Sequence, residues 1–456
     1  MGACLSSNSN KRTNNQSLPP KVAKYIKFLD HNGSLTDSYT MVKKIGEGAT
    51  SNVKLITCKH TTIQRAVKSI SISNEKLRIK AEREIEILKK IDHPCMLRSI
   101  ESYKEPNTIH IISEYYEGPS LYDVLKEGQG LSEKVAIKYM HYIISGLTYL
   151  HNLGIMHRDI KPENLVFESS DPEALLKIID FGSAQYLNKK FYKKKCGTIL
   201  YMSPQVLECK YTEKCDIWSA GIIFYIMISG SHPFYSDTEQ DLLDKIRHLP
   251  LQFKSPKWSN ISSETKQLIS IMLSKKEIER PCLNEIRKRL NFSIDINERK
   301  IKNAYSQIIN YKSLSELHRC IVNISLIKII NSEKAGKIFL YLDADGDGLV
   351  KIQDLLCNDP EKLKESSKIF REFENDYLTF NEFIIAYSDW GEVLGNDVIR
   401  AIFQLMDKDK DENLTLKDLE KYCARPMILE NEICKGEKPE DCLIKYDDFV
   451  SAPHIS

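Results

Sequence analysis

The sequence of 456 residues predicts an α+β fold, in which a larger body of strands and helices is followed by an all-α domain. Three observations support this prediction. A glycine-rich segment and a lysine-bearing strand open the body, and two motifs rich in catalytic side chains follow them. From Asn331 onward, acidic twelve-residue loops recur. Because loops of this kind bind calcium between paired helices, the end of the chain is expected to be helical.

The most informative segment is 157–164, His-Arg-Asp-Ile-Lys-Pro-Glu-Asn, which is followed by Asp-Phe-Gly at 180–182. Asp159 can accept a proton from a substrate hydroxyl, and Lys161 can neutralise a moving phosphate. The side chains that offer oxygen ligands to Mg²⁺ are Asn164 and Asp180. Because these groups occur together and in this order, their spacing indicates phosphoryl transfer from Mg-ATP.

Both motifs and their surroundings resemble the eukaryotic protein kinase family, and this resemblance implies that the body of the chain has a bilobal fold. Residues 45–53 are similar to that family's glycine-rich loop, whose backbone N–H groups close over the phosphates of ATP. The loop residues expected to bind ATP are Ile45, Gly46, Glu47, Gly48, Ala49, Thr50, Ser51, Asn52 and Val53. The resemblance implies that Lys68 anchors ATP. It also implies that Glu84, on an amphipathic helix predicted over 80–90, pairs with Lys68.

The same resemblance outlines the rest of the nucleotide pocket. The other residues expected to contact ATP are Ala66, Ser113, Glu114, Tyr116, Glu163, Val166 and Asp180. Ser113 occupies the gatekeeper position, where a side chain this small is expected to leave a back cavity for ligands with large aryl groups. Thr198 is expected to steady Asp159, and Lys161 is typical of serine/threonine kinases.

The large lobe continues the likeness with one departure. Ser-Pro-Gln at 203–205 stands where the family has Ala-Pro-Glu, and 216–221 resembles its buried aspartate motif. Arg280 is expected to pair with Gln205, so an amide replaces the usual carboxylate. Losing one member of a buried ion pair costs about 3–5 kcal/mol, but an amide keeps part of the interaction.

The activation segment, residues 184–202, is rich in lysine. Its lysines are Lys189, Lys190, Lys193, Lys194 and Lys195. Lys194 aligns with the usual phosphothreonine or its acidic substitute, so Arg158 lacks an anionic partner and activation by phosphorylation there is not expected. The lysines form either a solvated, mobile loop or a docking strip for an acidic substrate or the acidic tail. Ser120 stands where many basophilic members have glutamate, which argues against a preference for arginine-containing substrates.

Four twelve-residue frames resemble EF-hand calcium loops. In the first, the expected ligands are Asp343, Asp345, Asp347, Leu349 and Asp354. In the third, they are Asp407, Asp409, Asp411, Asn413 and Asp418. Lys351 and the short Asp354 weaken the first loop, and Glu412 occupies the glycine position of the third. The frames 371–382 and 437–448 lack proper ligands and are expected to be metal-free partners.

Charge is spread unevenly, although the net charge is only +2. From residue 331 onward there are 16 Lys and Arg against 28 Asp and Glu, a net charge of −12, and the preceding part carries +14. This asymmetry favours divalent cations and an intramolecular contact between the kinase and EF-hand parts. No basic stripe with interleaved aromatics supports nucleic-acid binding. The 12 cysteines form no Cys-x-x-Cys pair, so reduced thiols are expected.

The amino terminus, Met-Gly-Ala-Cys-Leu-Ser, fits the pattern for N-myristoylation at Gly2, and Cys4 can add a palmitate. One myristoyl chain binds membranes with about 10⁴ M⁻¹, so a second chain would make anchoring stable. The alternative is a disordered polar leader. No run of about 18 apolar residues predicts a transmembrane helix. We therefore expect a cytoplasmic protein that associates with the inner leaflet through acyl groups.

A kinase followed by four EF-hand frames resembles the calcium-dependent protein kinases of plants and protozoan parasites. The resemblance implies a flexible leader at 1–38, a serine/threonine kinase domain at 39–293 and an autoinhibitory junction at 294–330. EF-hand pairs are expected at 331–390 and 391–456. ATP, Mg²⁺ and Ca²⁺ are the implied cofactors, and the implied partners are protein substrates, with the chain a monomer.

Two alternatives stay open. The first is a kinase of the same type that ignores calcium, since all four loops depart from the calcium-binding pattern. The second is an acylated, calcium-responsive scaffold whose kinase fold only binds nucleotide. The intact set Lys68, Asp159, Asn164 and Asp180 argues against the scaffold.

Overall fold

The computed structural model describes residues 28–48, 51–188, 191–294, 333–351, 377–388, 396–407, 409–420, 426–434 and 442–451, with a few short stretches between them. The predictions that lie outside the described residues concern Gly2, Cys4, Ala49, Thr50, Lys189, Lys190, Asp354 and most of the 294–330 junction.

The first lobe is built on a six-stranded sheet with the order β1-β5-β6-β4-β3-β2. Its strands are β1 (Leu29–Asn32), β2 (Tyr39–Gly48), β3 (Ser51–Cys58), β4 (Gln64–Ser71), β5 (Ser99–Lys104) and β6 (Thr108–Glu114). A short helix, α1 (Leu35–Ser38), precedes β2. β1 and β5 are parallel, and the other pairs are antiparallel. Lys68 pairs with Val53, so the sheet holds the lysine beside the glycine-rich segment.

Helix α2 (Glu75–Leu88) packs its apolar face into the main core. It begins before the predicted start at 80, because the Asn74 side chain accepts a hydrogen bond from the N–H of Leu77 at 3.0 Å and caps the helix. Its buried face includes Ile85 and Leu88, as the periodicity predicts, and also Glu84. A carboxylate on an apolar face implies a specific partner.

The second lobe is mainly helical. Its helices are α3 (Leu121–Leu125), α4 (Glu133–Asn152), α5 (Pro204–Leu207), α6 (Lys214–Ser229), α7 (Glu239–His248), α8 (Ser263–Met272) and α9 (Leu283–Leu290). Its 3₁₀ turns are Pro162–Asn164, Ile199–Tyr201, Pro256–Asn260 and Glu277–Glu279. α4 and α6 form the centre and are buried over most of their length. Asp216 is buried within the mainly apolar α6, so it too must have partners.

Two short antiparallel ribbons follow α4 in the chain, and one strand of the first ribbon lies within the activation segment. β7 (Ile155–Met156) pairs with β10 (Gln185–Tyr186), and β8 (Leu165–Phe167) pairs with β9 (Leu176–Ile178). Asn164 directly precedes β8, and Asp180 closely follows β9. Because Leu165 and Ile178 are opposite each other, the ribbon brings these two candidate metal ligands to the same end.

Beyond residue 331, helices alternate with loops and two-stranded ribbons. The helices are α10 (Glu333–Leu342), α11 (Phe380–Tyr387), α12 (Asn396–Met406), α13 (Leu416–Glu420), α14 (Pro426–Cys434) and α15 (Tyr446–Ser451). β11 (Val350–Lys351) pairs with β12 (Tyr377–Leu378), and β13 (Asn413–Thr415) pairs with β14 (Leu443–Lys445). In both ribbons the eighth residues of consecutive twelve-residue frames face each other. None of the described helices is long and apolar enough to cross a membrane.

Two cysteines differ from the sequence expectation. Cys434 ends α14, Cys442 directly precedes β14, and the two form a disulfide with Cα atoms 5.5 Å apart. The expectation of reduced thiols was therefore wrong for this pair. It rested on the lack of Cys-x-x-Cys motifs, whereas cysteines eight residues apart can meet through the fold alone.

Candidate active site

Lys68 lies at the centre of the candidate active site. Its ammonium donates to Glu84 of α2 at 2.6 Å and to Asp180 at 2.7 Å. Burial disfavours the charged ammonium, but the two carboxylates outweigh this effect and raise the pKa of Lys68 above its usual range. Burial raises the pKa of Glu84, against the opposing effect of Lys68. This pairing explains the carboxylate on the apolar face of α2.

Asp180 has a left-handed backbone, with φ +62°. The N–H of Gly182 donates to its Oδ1 at 3.2 Å. Burial raises the pKa of Asp180, but the Lys68 ammonium and the Gly182 N–H lower it to about 2. The carboxylate is therefore ionised at neutral pH, as a hard oxygen ligand for a divalent cation must be.

Asp159 is held on several sides. Thr198 donates to its Oδ1 through the N–H and through the hydroxyl, each at 3.1 Å. Asn164 Nδ2 donates to the Asp159 carbonyl at 2.8 Å and to Oδ2 at 3.3 Å. Lys161 Nζ lies 3.1 Å from Oδ2 and donates to the Thr198 hydroxyl at 3.0 Å. The structure thus brings these four predicted residues together around a carboxylate of fixed orientation, which can accept a proton from an incoming hydroxyl.

Asp216 supports the catalytic segment from within the large lobe. Its carboxylate accepts the backbone N–H groups of His157 and Arg158 at 2.9 and 2.8 Å. Its Oδ2 is 2.9 Å from His151 Nε2. Arg158 has φ +69°, a conformation that a non-glycine residue keeps only when its surroundings hold it. Asp216 therefore positions the backbone that carries Asp159.

The Arg158 guanidinium has partners that sequence reasoning missed. Its Nε donates to the Ser183 carbonyl at 2.7 Å, and its Nη1 donates to the Tyr211 hydroxyl at 3.1 Å. That hydroxyl donates to the Lys194 carbonyl at 2.8 Å. A neutral tyrosine therefore links Arg158 to the residue that aligns with the usual phosphorylation site. No local pattern marks Tyr211, and only the expected lack of an anionic partner for Arg158 could have prompted a search for it.

The pair between Gln205 and Arg280 is present in the structure. Arg280 is 1% exposed, and its Nη2 donates to Gln205 Oε1 at 2.5 Å. Burial lowers the pKa of Arg280 to about 10. The same amide donates from Nε2 to the Lys275 carbonyl at 2.7 Å. Gln205 therefore satisfies one donor and one acceptor, which a carboxylate at this position could not do.

The remaining pocket residues lie along the boundary between the lobes. Ala66 of β4 is opposite Ser113 of β6, and Val166 of β8 is bridged to Ser120. Glu163 is exposed. A cavity of about 140 Å³ lies beside Lys68 and is also lined by Ile70, Leu77, Ala81, Glu84 and Gly182. The larger back cavity expected behind Ser113 stays a prediction.

The hinge and the glycine-rich segment flank this boundary. Arg98 Nη1 donates to Glu114 Oε1 at 2.6 Å, and the Arg98 N–H donates to the Tyr116 hydroxyl at 3.1 Å. Both hinge side chains are thus engaged by Arg98. In the glycine-rich segment the strand pairs are Gly46 with Val53, Glu47 with Asn52 and Gly48 with Ser51, and Ile45 is partly exposed.

Three aspartates converge in the first twelve-residue frame. Carboxylate oxygens of Asp343, Asp345 and Asp347 lie within 4.8 Å of one another. Asp343 accepts the N–H groups of Gly346 at 2.9 Å and of Gly348 at 3.1 Å, which wraps the loop around its carboxylate. Burial and the nearby Asp347 raise the pKa of Asp343 to about 7. A dense set of carboxylate oxygens fits Ca²⁺.

Lys351 partly occupies the same loop. It forms salt bridges with Asp345 and, at 3.2 Å, with Asp347. These hydrogen bonds and charges raise the pKa of Lys351, which is therefore fully charged. Leu349, whose carbonyl was expected to bind metal, is buried. A cation entering this loop must displace the ammonium from the two carboxylates.

The third frame repeats the cluster. Carboxylate oxygens of Asp407, Asp409 and Asp411 lie within 4.8 Å of one another. Asp407 Oδ1 is buried and, within the described part of the chain, accepts no hydrogen bond. An orphaned buried carboxylate oxygen is costly unless a cation approaches it, so this donor set also fits a metal ion.

The backbone of the third frame is less suitable for binding a cation than the backbone of the first frame. Glu412 has φ +63° at the position where the first frame has Gly348 at +82°. Asp418 Oδ2 accepts the N–H and the hydroxyl of Thr415 at 3.1 and 2.5 Å. Asn413 begins β13 and donates from Nδ2 to the Asp411 carbonyl at 2.8 Å. The frame therefore has the ligands for a cation but adopts a loop shape that favours glycine.

The first frame rests on the large lobe. Arg287 of α9 donates from Nη2 to the Asp343 carbonyl at 2.6 Å. Gly348 lies so close to the Tyr149 ring of α4 that a Cβ at this position would collide with it. The loop of the first frame is thus in direct contact with two helices of the kinase lobe.

A second contact lies at Asp92, just after α2. Both Asp92 carboxylate oxygens accept the N–H of Asn381 at 3.1 Å and cap α11 from outside. Arg98 Nε donates to the Asn381 side chain at 3.2 Å. Burial raises the pKa of Asp92 to about 6 and that of Glu382, in the first turn of α11, to about 7. These contacts were missed because they join residues far apart in the chain.

The contacts of Lys68 and the fixed Asp159 define a protein kinase. In agreement, residues 39–292 match the family described as protein kinase domain. The chain is similar to calcium-dependent protein kinase 3 of Plasmodium yoelii yoelii, with 32% identity over 441 residues, covering 92% of this chain and 81% of the relative. It is also similar to calcium-dependent protein kinase 4 of Plasmodium falciparum (isolate 3D7), with 30% identity, covering 89% and 83%. The chain belongs to the calcium-dependent protein kinase family, which confirms the resemblance found in the sequence.

Proposed function

We propose that this chain is a calcium-regulated serine/threonine protein kinase, which transfers the γ-phosphate of ATP to hydroxyl groups of protein substrates. The observation that carries the proposal is the assembled set of contacts that join Lys68 to Glu84 and Asp180, and Asp159 to Thr198. These residues come from separate segments of both lobes. Together they supply the groups that phosphoryl transfer requires of a protein.

Each side chain has one task in the proposed reaction. When ATP and Mg²⁺ are bound, the metal neutralises charge on the phosphates. Lys68 holds phosphate oxygens, and Asn164 and Asp180 offer the oxygen ligands for metal. Asp159 orients the substrate hydroxyl and accepts its proton. Lys161, 3.1 Å from Asp159, stabilises the phosphoryl group as it moves.

Calcium control is proposed to act through two EF-hand pairs beyond residue 331. The clusters around Asp343 and Asp407 provide carboxylate oxygens of the kind that Ca²⁺ prefers. Binding at the first cluster must reorganise Lys351 and the backbone beside it. Since Arg287 and Tyr149 contact that backbone, a cation held by the first cluster would be coupled to the kinase lobe through these two residues.

Membrane anchoring is a separate part of the proposal, and the amino-terminal sequence alone supports it. Myristate on Gly2 and palmitate on Cys4 would attach the kinase to the inner leaflet. We expect Gly2→Ala to move the protein from the membrane fraction to the soluble fraction, as measured by fractionation of cells that express each form. An unchanged distribution would contradict the anchoring.

The proposed function is tested by radiolabelled phosphate transfer to serine, threonine and tyrosine peptides across a calcium titration. We expect transfer to serine and threonine, suppression by EGTA, and a similar suppression by Asp343→Ala. Asp159→Asn should lower kcat by about 10²–10⁴, whereas the exposed Asp237→Asn should not. If the purified chain phosphorylated no peptide under any cation condition, the kinase function would be refuted.

A kinase of the same type that ignores calcium is the second candidate. Two observations favour it, since Lys351 occupies the carboxylates of the first frame and Glu412 strains the backbone of the third. Equal turnover in calcium and in EGTA, with sensitivity to Asp159→Asn retained, would select this candidate.

A further inference from the structure

We propose that Lys193, Lys194 and Lys195, called here the lysine strip, form a subsite for acidic residues beside the phosphorylated hydroxyl. The proposal rests on the protein kinase function proposed above and names its substrate class. Substrates would be proteins that carry Asp or Glu close to the acceptor serine or threonine. The strip therefore sets specificity, and the transfer chemistry stays with Asp159 and Lys161.

The strip is anchored at its first end by Tyr192. This tyrosine is buried, and its hydroxyl accepts the N–H of Asn188 at 2.9 Å and donates to the Tyr186 carbonyl at 2.5 Å. Its backbone N–H donates to the Tyr211 carbonyl at 3.1 Å. The chain therefore leaves the core of the lobe at a fixed point immediately before Lys193.

The middle of the lysine strip and the backbone just after it are anchored to the catalytic segment. The Tyr211 hydroxyl donates to the Lys194 carbonyl, and it also accepts from Arg158. At Gly197 the backbone runs so close to the catalytic segment that a Cβ would lie 2.6 Å from the Arg158 carbonyl and 3.5 Å from Asp159 Oδ1. The strip is thus bound directly to the segment that carries the catalytic base.

This anchoring brings the lysines within reach of a bound substrate. Lys195 is two residues before Gly197, so their Cα atoms are at most about 7 Å apart. An extended substrate advances about 3.3 Å per residue. A substrate residue within about three positions of the hydroxyl at Asp159 is therefore close enough to reach the strip.

The lysine strip also presents positive charge at the surface. All three lysines are exposed, and in the described part of the chain none of them forms a salt bridge. The other lysines of the site are occupied, since Lys68 and Lys161 each bind a carboxylate. Lys210, also exposed, lies over the Phe191 ring at 5.1 Å and adds a further cation to this surface.

The groups that would favour a basic substrate are fewer. Ser120 is engaged with Asp123, to which its hydroxyl donates at 2.6 Å. Glu163 is an exposed carboxylate close to the catalytic segment and opposes the strip with one negative charge. Three adjacent ammonium groups outweigh this charge, so the surface beside Asp159 is electropositive on the side of the activation segment.

The expected size of the preference for acidic substrates follows from the strength of exposed ion pairs. One such pair changes an equilibrium about 1.4- to 5-fold, so two or three pairs give about a tenfold preference. The preference must also fall with ionic strength, because exposed charges are screened over about 8 Å at 0.15 M salt.

The test uses the full chain at saturating calcium and a set of serine peptides that are identical except for Glu, Gln or Lys at each position within three residues of the serine. We expect kcat/KM to be about tenfold higher for Glu than for Gln at one or more positions, and lowest for Lys. Changing Lys193, Lys194 and Lys195 together to Gln should remove the Glu preference, and changing them to Glu should reverse it. In 0.5 M NaCl the preference of the unmodified chain should shrink to about twofold.

The matched control changes Lys134, Lys254 and Lys288 to Glu, which alters the net charge equally at exposed sites outside the activation segment. It should keep the Glu preference. Equal rates for Glu and Lys peptides, or the same loss in both triple variants, would overturn the proposal. The proposal would also be overturned if the lysine strip variants raised activity in EGTA but kept the order of kcat/KM among the Glu, Gln and Lys peptides. That result would mean that the strip binds the acidic tail and not the substrate. Absence of transfer to every peptide, including the Gln series, would refute the kinase function itself.

Discussion

At the scale of single residues, the side chain of Gln205 is both a hydrogen-bond acceptor and a hydrogen-bond donor. Its Oε1 accepts from Arg280, and its Nε2 donates to the Lys275 carbonyl. Gln205→Glu would strengthen the first bond by about 1 kcal/mol but would set a carboxylate oxygen against a carbonyl oxygen at a cost of about 1–3 kcal/mol. We expect the thermal unfolding midpoint to fall by about 2–4 °C.

Differential scanning fluorimetry measures this change. Gln252→Glu, at an exposed position, adds the same charge and should leave the midpoint unaltered. A midpoint raised by Gln205→Glu would mean that the ion pair outweighs the lost hydrogen bond, contrary to the reasoning from geometry.

Glu412 is a second residue of interest, because its backbone conformation bears on calcium binding at the third frame. A left-handed conformation costs a residue with a Cβ about 1–2 kcal/mol, and glycine avoids this cost while losing about 0.5–1 kcal/mol in entropy. Glu412→Gly is therefore expected to tighten calcium binding at the third frame several-fold. Isothermal titration of a chain that also carries Asp343→Ala isolates this frame. Glu412→Ala removes the same charge but keeps the Cβ, so equal tightening by both variants would attribute the effect to charge.

At positions where a motif is local, residue identity alone was enough to nominate candidate catalytic side chains. The segment 157–164 was sufficient to nominate Asp159, because its chemistry is carried by adjacent positions. Glu84 is different, since a lone helical carboxylate is usually solvated and only the family resemblance assigned it to Lys68. Its burial and its 2.6 Å contact could not be read from a helical pattern that treats charged positions as outward-facing.

At the scale of elements, the neutral side chain of Tyr211 joins Lys194 of the activation segment to Arg158. Tyr211→Phe would leave the Lys194 carbonyl without this donor and Arg158 Nη1 without this acceptor. Because a hydrogen bond to a charged group contributes about 1.5–3 kcal/mol, we expect kcat/KM for a neutral peptide to fall about tenfold or more.

Steady-state kinetics test this expectation. ATP affinity should be retained, since Lys68 and Asp180 lie outside the bonds that are removed. Tyr235→Phe, at a side chain that is 61% exposed, is the control. Full activity of Tyr211→Phe would show that the segment orders without this hydroxyl.

Some structural elements were predicted more accurately than others, and the reasons are physical. Periodicity located α2 but not its start, because the Asn74 cap acts through geometry and not through hydrophobicity. The twelve-residue frames were located by ligand spacing, and the pairing of Val350 with Leu378 and of Leu414 with Ile444 joins them in the same register. The disulfide between Cys434 and Cys442 depends on where α14 and β14 lie in space, which spacing in the sequence does not encode.

At the scale of the whole molecule, charge predicted a contact between the two parts but not its location. The parts carry +14 and −12, yet the contacts made by Asp92, Tyr149 and Gly348 are not simple pairings of opposite charge. Asp92 and Asn381 are 289 residues apart, and the bond between them is a helix cap supplied by a distant segment. Such a contact follows from the assembled fold, so no local pattern could have predicted it.

The same contact makes docking of α11 dependent on pH. Burial raises the pKa of Asp92 to about 6 and that of Glu382 to about 7, above their ordinary values of 3.8 and 4.5. The docked form therefore holds protons that the released form gives up, so docking is strongest near pH 4 and weakens as the pH rises to about 7.

Small-angle scattering along a urea series at pH 5, 6, 7 and 8 measures release of the C-terminal part. We expect the urea concentration at release to fall from pH 5 to pH 7 and then to level off. Asp92→Asn keeps an acceptor for the Asn381 N–H but cannot titrate, so it should reduce the slope by about one proton. Asp237→Asn, at an exposed position, should leave the slope unchanged. If release instead became easier toward pH 5, ionised Asp92 would be the docked form, and the hydrogen bonds from Asn381 would outweigh the cost of burial.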